Sequence, residues 1–197
     1  MEDALEQRLN MDMHDRRVKR TQNLLVKALI ALSLEKGYEA VTIRDITERA
    51  DIGYATFFRH YHDKDALLHD VLDVVLAELI DLLPPSPQDS DPIATGTLIF
   101  SYVQQHNEII RVLLSSRGSS SLLHHMIDTG TQSVLSHNTP EEDSAVPPEI
   151  AAYHAVTSTI ALIQWWLEHD MPYSPERMGT IYHELIARPT RSVAFDS

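Results

Sequence analysis

Apolar residues recur three and four apart along most of this chain, and two short bursts of that spacing stand close together between Thr42 and Tyr61, in TIRDITERADIGYATFFRHY. Thr42 precedes Asp45 by three residues, the spacing of a reciprocal cap, so a helix is predicted to start there with Ile43, Ile46 and Ala50 on one face. Asp51-Ile52-Gly53 breaks the run with a polar residue, an apolar plug and a glycine, which predicts a turn between two packed helices. The second helix, Tyr54 to His60, turns Phe57 and Tyr61 inward. Tyr54, Ala55, Thr56, Phe58, Arg59 and His60 are left facing outward.

The same periodicity lays out the rest of the chain as helices. Leu5, Leu9 and Met13 have helical spacing but nothing to pack on, so residues 1–15 are expected to be a frayed tail. From Thr21 to Lys36, Leu24, Leu25, Ala28, Leu29, Ala31 and Leu32 line a long supporting helix that Gly37 ends. Asp63 is placed to cap a helix from Lys64 to about Leu83, with Leu67, Leu68, Val71, Leu72, Val75, Leu76 and Leu79 along it. The proline-rich stretch from Pro84 to Pro92 predicts a loop, and a central helix follows to about Ser115. After a break at residues 117–121, Leu122–Thr129 and Thr131–Ser136 read as two short helices, and residues 137–148 as a mobile acidic loop. Glu149–Asp170 and Ser174 to about Ala187 are the last helices expected, with residues 189–197 as a tail.

Composition adds limits. A chain of 197 residues without cysteine has room for a real core and no disulfide framework, which fits a reducing cytoplasm. Apolar runs are short and the N-terminus is acidic, so neither a signal peptide nor a membrane span is expected. The net charge of −13 is unevenly spread: residues 16–62 hold nine Lys/Arg against five Asp/Glu, whereas residues 63–197 hold six against nineteen. Because salt screens charge beyond about 8 Å, the basic segment retains the character needed to meet phosphate.

The outward face of the second helix is aromatic, hydroxylic and basic, a surface suited to the DNA major groove. Arg forks to guanine, Thr and Ala touch a thymine methyl, and phenol or imidazole reaches phosphate. The candidate DNA contacts are Thr42, Arg44, Tyr54, Ala55, Thr56, Phe58, Arg59, His60 and Lys64, the last at a helix N-terminus where phosphate is favoured. Taken alone, the pattern also fits a helical hairpin of an unrelated bundle.

The wider segment from Arg16 to Leu68 resembles the DNA-binding domain of the tetracycline-repressor (TetR) family of bacterial regulators. The matching residues are Arg20-Thr21, Gly37-Tyr38, Val41 to Ile46, Ala50 to Gly53, Thr56 to Tyr61 and Asp63 to Leu68. Two positions depart from the family's habit: Gly53 stands where Ser or Thr often opens the recognition helix, and Tyr54 where Lys or Arg is frequent. The stretch Trp165 to Met171 with Ser174-Pro175-Glu176 is similar to the C-terminal domain of one TetR subgroup. The resemblance implies an all-α protein, with a three-helix DNA-binding domain with helix-turn-helix over residues 16–62 and a helical ligand-binding and dimerisation domain over 63–188. It also implies a homodimer on a near-palindromic double-stranded operator, released by a small-molecule inducer.

For such an inducer the candidate contacts are Tyr102, His106, His125, Tyr153 and Trp165, with His124 and Met126 beside them. Two broadly apolar terminal helices suggest a four-helix dimer interface through Tyr153, Val156, Ile160, Ile163, Trp166, Ile181, Tyr182 and Leu185. Eleven histidines make no closed ligand set, so no metal and no cofactor is expected. Without cysteine, a GxSxG elbow, a phosphate-cradling glycine loop or HExxH, no catalytic residue is expected either. A regulator or activator worked by a protein partner at the C-terminal domain is the alternative, and a helical adaptor that does not bind DNA a further one.

Overall fold

The computed structural model describes residues 2–84, 91–115, 120–141 and 144–195. They are helical throughout, apart from turns and one isolated bridge between Pro140 and Phe195. Among these residues, no helix is long and apolar enough to cross a membrane. The chain divides into two compact units, Met1–Val71 and Leu72–Ser197.

The first unit contains α1 (Glu2–Lys36), a 3-10 turn (Tyr38–Ala40), α2 (Ile43–Ala50), α3 (Tyr54–Phe57) and the beginning of α4 (Lys64–Leu82). The helix of α1 starts at Glu2, so residues expected as a frayed tail continue it. No proline or glycine interrupts the chain before Gly37, and nothing local stops a helix there. Gly37 ends it with φ 81° and ψ 142°, a backbone closed to other residues. Leu25, Leu29, Ile46, Phe57, Leu67 and Leu68 are fully enclosed and form the centre of this unit.

The second unit holds the remainder of α4, then α5 (Pro92–Gln105), α6 (Asn107–Ser115), α7 (Ser120–His137), α8 (Pro148–Glu168), α9 (Pro175–Tyr182), a π-helical turn (His183–Ala187) and α10 (Arg188–Ala194). Its core gathers Phe100, Tyr102, Val103, Ile163, Trp166, Leu167 and Met178. Trp166 is enclosed, with Phe100 edge-on at 5.2 Å and its indole N–H given to the Tyr173 carbonyl at 3.0 Å.

Four expectations change here. The helix predicted from Pro92 to Ser115 is interrupted at His106, where the Asn107 side-chain amide donates to the Gln104 carbonyl at 2.8 Å and competes with the helical ladder. The two short helices predicted on either side of Gly130 are one, α7. Gly130 marks close packing rather than a break, since a β-carbon there would lie 2.9 Å from Val156. The loop read as mobile is pinned: Glu141 N–H donates to Ala194 O and Val146 N–H to Val193 O, both at 3.2 Å.

Residues 189–197 were expected to be a tail, yet Pro189 lies in the first turn of α10 and Ala194 and Phe195 are buried. Proline lacks an N–H and its ring crowds the carbonyl four residues back. The preceding turn widens accordingly, and the Arg188 N–H reaches His183 O. The expected loop at residues 85–90 and the first part of the break expected at 117–121 lie outside the described residues, whereas Ser120 and Ser121 already belong to α7.

Candidate nucleic-acid interface and ligand cavity

The helix-turn-helix is built as its residues dictate. Thr42 caps α2 reciprocally: its hydroxyl accepts the Asp45 N–H at 3.2 Å, and the Asp45 carboxylate accepts the Thr42 N–H at 2.8 Å and its hydroxyl at 2.7 Å. Lys36 adds a 2.7 Å ion pair to the same carboxylate. The Lys36 and Thr42 hydrogen bonds hold the Asp45 carboxyl well below the usual carboxylate range. Arg49 forks onto Glu35 at 2.8 and 2.7 Å, tying the end of α2 to α1.

The turn is made by Asp51, not by its glycine. Asp51 takes the left-handed conformation, φ 53° and ψ 47°, and the following Ile52 N–H closes back on Thr47 O at 2.9 Å. Gly53 has an ordinary φ of −59° and supplies no side-chain cap to α3.

Only Tyr54–Phe57 is regular α-helix. Single turns continue it, with the Arg59 N–H on Thr56 O and the His60 and Tyr61 N–H groups on Phe57 O. Phe57 is enclosed and Tyr61 nearly so, whereas Tyr54 and Phe58 are 54% and 47% exposed with rings edge-on at 5.3 Å. Ala55 and Arg59 are exposed beside them, and Thr56 and His60 are half-buried. Neither the Arg59 guanidinium nor that of the exposed Arg44 has a partner among the described residues. The surface therefore presents two aromatic rings and two uncommitted guanidinium groups on a backbone fixed from beneath.

That support includes two buried phenols. Tyr38 donates to Asp65 in a short hydrogen bond, and Tyr61 donates to Asp70 at 2.6 Å. Burial first, then the adjacent carboxylates, push both phenols well above their ordinary range, so both remain donors.

Lys64 departs from its expected role. Its ammonium donates to the carbonyls of Tyr38, Glu39 and Val41 at 3.0, 3.3 and 3.0 Å and lies 4.4 Å from the centre of the Tyr38 ring. An ammonium has three donors. All three are engaged at the turn after α1, so in this structure the ammonium is committed to the scaffold. Its positive charge alone did not reveal this; three converging carbonyls are a tertiary fact.

The second unit encloses an apolar cavity of about 190 Å³, walled by α4, α5, α6, α7, α8 and Tyr182. Of the residues expected to meet a ligand, Tyr102 and Met126 line it. The Tyr102 hydroxyl donates to Glu78 at 2.8 Å, and burial with that carboxylate pushes it above its ordinary range. His106 lies tilted against Tyr102 with ring centres 4.4 Å apart, and His125 pairs with Asp73 at 2.7 Å; neither is on the wall. His124 is also off the wall. Tyr153 and Trp165 face outward at 54% and 42% exposure.

The residues expected at a dimer interface separate in the same way. Tyr153 and Leu185 are exposed, while Val156, Ile160, Ile163 and Tyr182 line the cavity. Trp166 is wholly interior, and Ile181 packs against the same core. One apolar stripe on a helix does not say whether it faces a core, a cavity or a second chain. Among the described residues no group of three or more His, Asp or Glu gathers as a metal site would.

Comparison with known proteins agrees with this architecture. The curated relative YxbF, an uncharacterized HTH-type transcriptional regulator of Bacillus subtilis strain 168, is 28% identical over 173 residues, covering 82% of this chain and 43% of its own. The chain spans about half the length of the curated relatives it matches, or less. A TetR transcriptional regulator from Streptococcus agalactiae 2603V superposes with a TM-score of 0.67 at 21% identity, covering 89% of this chain and 98% of that one. A SmeT–triclosan complex superposes at 0.65 and 15% identity, covering 90% and 92%. Residues 25–71 match the family described as "Bacterial regulatory proteins, tetR family" and residues 94–188 the "Transcriptional regulator C-terminal region"; together with the helix-turn-helix above, these place the chain in the TetR family.

Proposed function

We propose that this chain is a sequence-specific DNA-binding transcriptional regulator, a repressor that reads a near-palindromic operator as a homodimer and leaves it when a small molecule fills the second unit's cavity. The observation that carries the reading is the face formed by Tyr54, Ala55, Phe58 and Arg59, exposed on a helix held by the enclosed Phe57. Arg59 supplies a fork for a guanine edge, and the rings supply contact with thymine methyl and sugar. Arg44, exposed in the first turn of α2, is placed to meet backbone phosphate; Thr42, Thr56 and His60 flank the same surface.

Homodimerisation is supported by exposed apolar side chains on the last helices, Tyr153 on α8 and Leu185 on the π-turn, at 54% and 66%. A two-fold pair reads half-sites about 34 Å apart. Ligand control is supported by the cavity and by the triclosan bound in a protein of the same fold. Helix α4 belongs to both units and lines the cavity with Val75 and Leu79, which makes it the transmitter in this reading.

The test is selection of bound fragments from random duplex DNA by the purified protein. Enrichment of an inverted repeat with centres near one helical turn supports the reading; equal retention of all duplexes in dilute salt sinks it. A second reading, control by a protein partner, is favoured by the exposed stack of Trp165 on His169 and Tyr173, with centres 4.4 and 6.4 Å apart. Operator binding that no small molecule alters, but an added protein does, would select it.

A further inference from the structure

The apolar cavity has a polar neighbour. A second compartment of about 140 Å³ shares Leu83, Ser133, Val134, Ala155 and Tyr182 with the first, so the two meet along one wall. The first compartment is lined almost wholly by aliphatic side chains, whereas the second adds His137, Asn138, Thr190 and Arg191.

The charge of this polar end runs against that of the chain around it. Residues 63–197 carry nineteen Asp/Glu and six Lys/Arg, yet among the described residues no carboxylate lines either compartment, and one of the six cations, Arg191, does. Arg191 has no carboxylate partner among the described residues, unlike Arg188, which pairs with Glu184 at 2.8 Å. The Tyr182 phenol, on the shared wall, has no hydrogen-bond partner among the described residues either. Burial pushes this phenol up, and the Arg191 charge pulls it part of the way back.

The position of Arg191 is fixed by structure. Pro189 widens the turn before it, and Phe195, whose N–H bonds Arg191 O at 3.1 Å, is buried where α10 is pinned to the loop at Glu141 and Val146. Hydrogen bonds to Ser133 O and Val134 O leave His137 Nε2 and the Asn138 side-chain oxygen available. A guanidinium without a carboxylate partner among the described residues and an unpaired phenol donor, in the compartment beside an apolar cavity, are complementary to an oxyanion that carries an apolar body.

We propose that the controlling ligand is an amphipathic carboxylate, its apolar body in the larger compartment and its carboxylate between Arg191 and the Tyr182 hydroxyl. The inference rests on the ligand-controlled reading above and gives it a chemical class. Size follows from volume: an apolar cavity of about 150 Å³ takes up benzene, so this one accepts a body of about six to ten carbons.

The test uses the full chain and three probes, octanoate, octanol and acetate, with binding measured by calorimetry in the absence of DNA. Octanoate is expected to bind at least tenfold more tightly than octanol, and acetate not to bind. Arg191→Gln is expected to lower octanoate affinity at least tenfold while leaving octanol unchanged, and Arg191→Lys to restore part of the loss. Octanol binding as tightly as octanoate, indifference to Arg191→Gln, or no octanoate binding overturns the proposal. Tyr182→Phe, which keeps the ring and removes the donor, is expected to weaken octanoate alone; equal weakening of octanol would assign Tyr182 to packing and overturn its part. Operator binding is read separately by anisotropy. Intact DNA binding with no octanoate binding discards this proposal alone, whereas octanoate binding without release discards the release step and retains the ligand class.

Discussion

Arg59 and Lys64 are two cations five positions apart with opposite employment. Arg59 stands exposed and uncommitted on the recognition face, while each donor of Lys64 has a carbonyl. Arg59→Ala is therefore expected to weaken operator binding by ~1–3 kcal/mol, roughly five- to 150-fold, with the melting temperature unchanged. Unaltered gel-shift affinity would remove Arg59 from the contacts. Lys64→Met leaves three carbonyls short of a donor and is expected to cost about 2 kcal/mol of stability in chemical denaturation. A stable variant with a salt slope reduced by one unit would return Lys64 to phosphate. The aromatic and basic character of the recognition face was legible in the residues themselves. The fate of Lys64 was not, because its acceptors lie on residues 38–41, distant in sequence.

Among the elements, α2 and the crossing of α5 with α9 show how local and distant determinants differ. The Thr42–Asp45 cap followed from spacing alone, and its energetics carry a sign. The Asp45 carboxyl is depressed in the fold, by Lys36 first and Thr42 second, below its ordinary 3.8. Its contribution is thus complete above that value and lost as pH falls through the lower folded one. The stability gap between wild type and Asp45→Asn is expected to be open near neutrality and to close in acid; a constant gap would mean that the charge plays no part. By contrast, nothing in the periodicity announced Gly96 and Gly179. A β-carbon on Gly179 would lie 2.5 Å from the Thr97 hydroxyl and 2.7 Å from its backbone nitrogen, and one on Gly96 would lie 2.9 Å from Gly179 itself. Gly179→Ala is expected to destabilise by ~1–3 kcal/mol because backbone must move. A neutral result in thermal unfolding would show that these helices separate freely. The π-turn was equally hidden: Pro189 looks the same in sequence whether it ends a helix or widens one.

For the whole molecule, the periodic pattern conveyed an all-helical chain with a reading head ahead of a helical body. It did not distribute the apolar residues of α8 and α9 between interior and surface, since a core, a cavity and a partner all call for the same side chains. The structure makes the distinction testable. Charging the exposed pair, Tyr153→Glu with Leu185→Glu, is expected to give a folded monomer by sedimentation, whereas Trp166→Glu is expected to unfold the second unit. A double variant that still sediments as a dimer would move the interface to another face.

The path of α4 bears on how the reading head is to be isolated. A fragment ended at His62, before that helix starts, would lose Asp65 and Asp70, the acceptors of Tyr38 and Tyr61, together with the enclosed Leu67 and Leu68. Grafting this head onto another regulator, or expressing it alone for spectroscopy, therefore requires a splice beyond Val71. A cut any earlier would deliver the face of Tyr54 and Phe58 on an unfinished foundation.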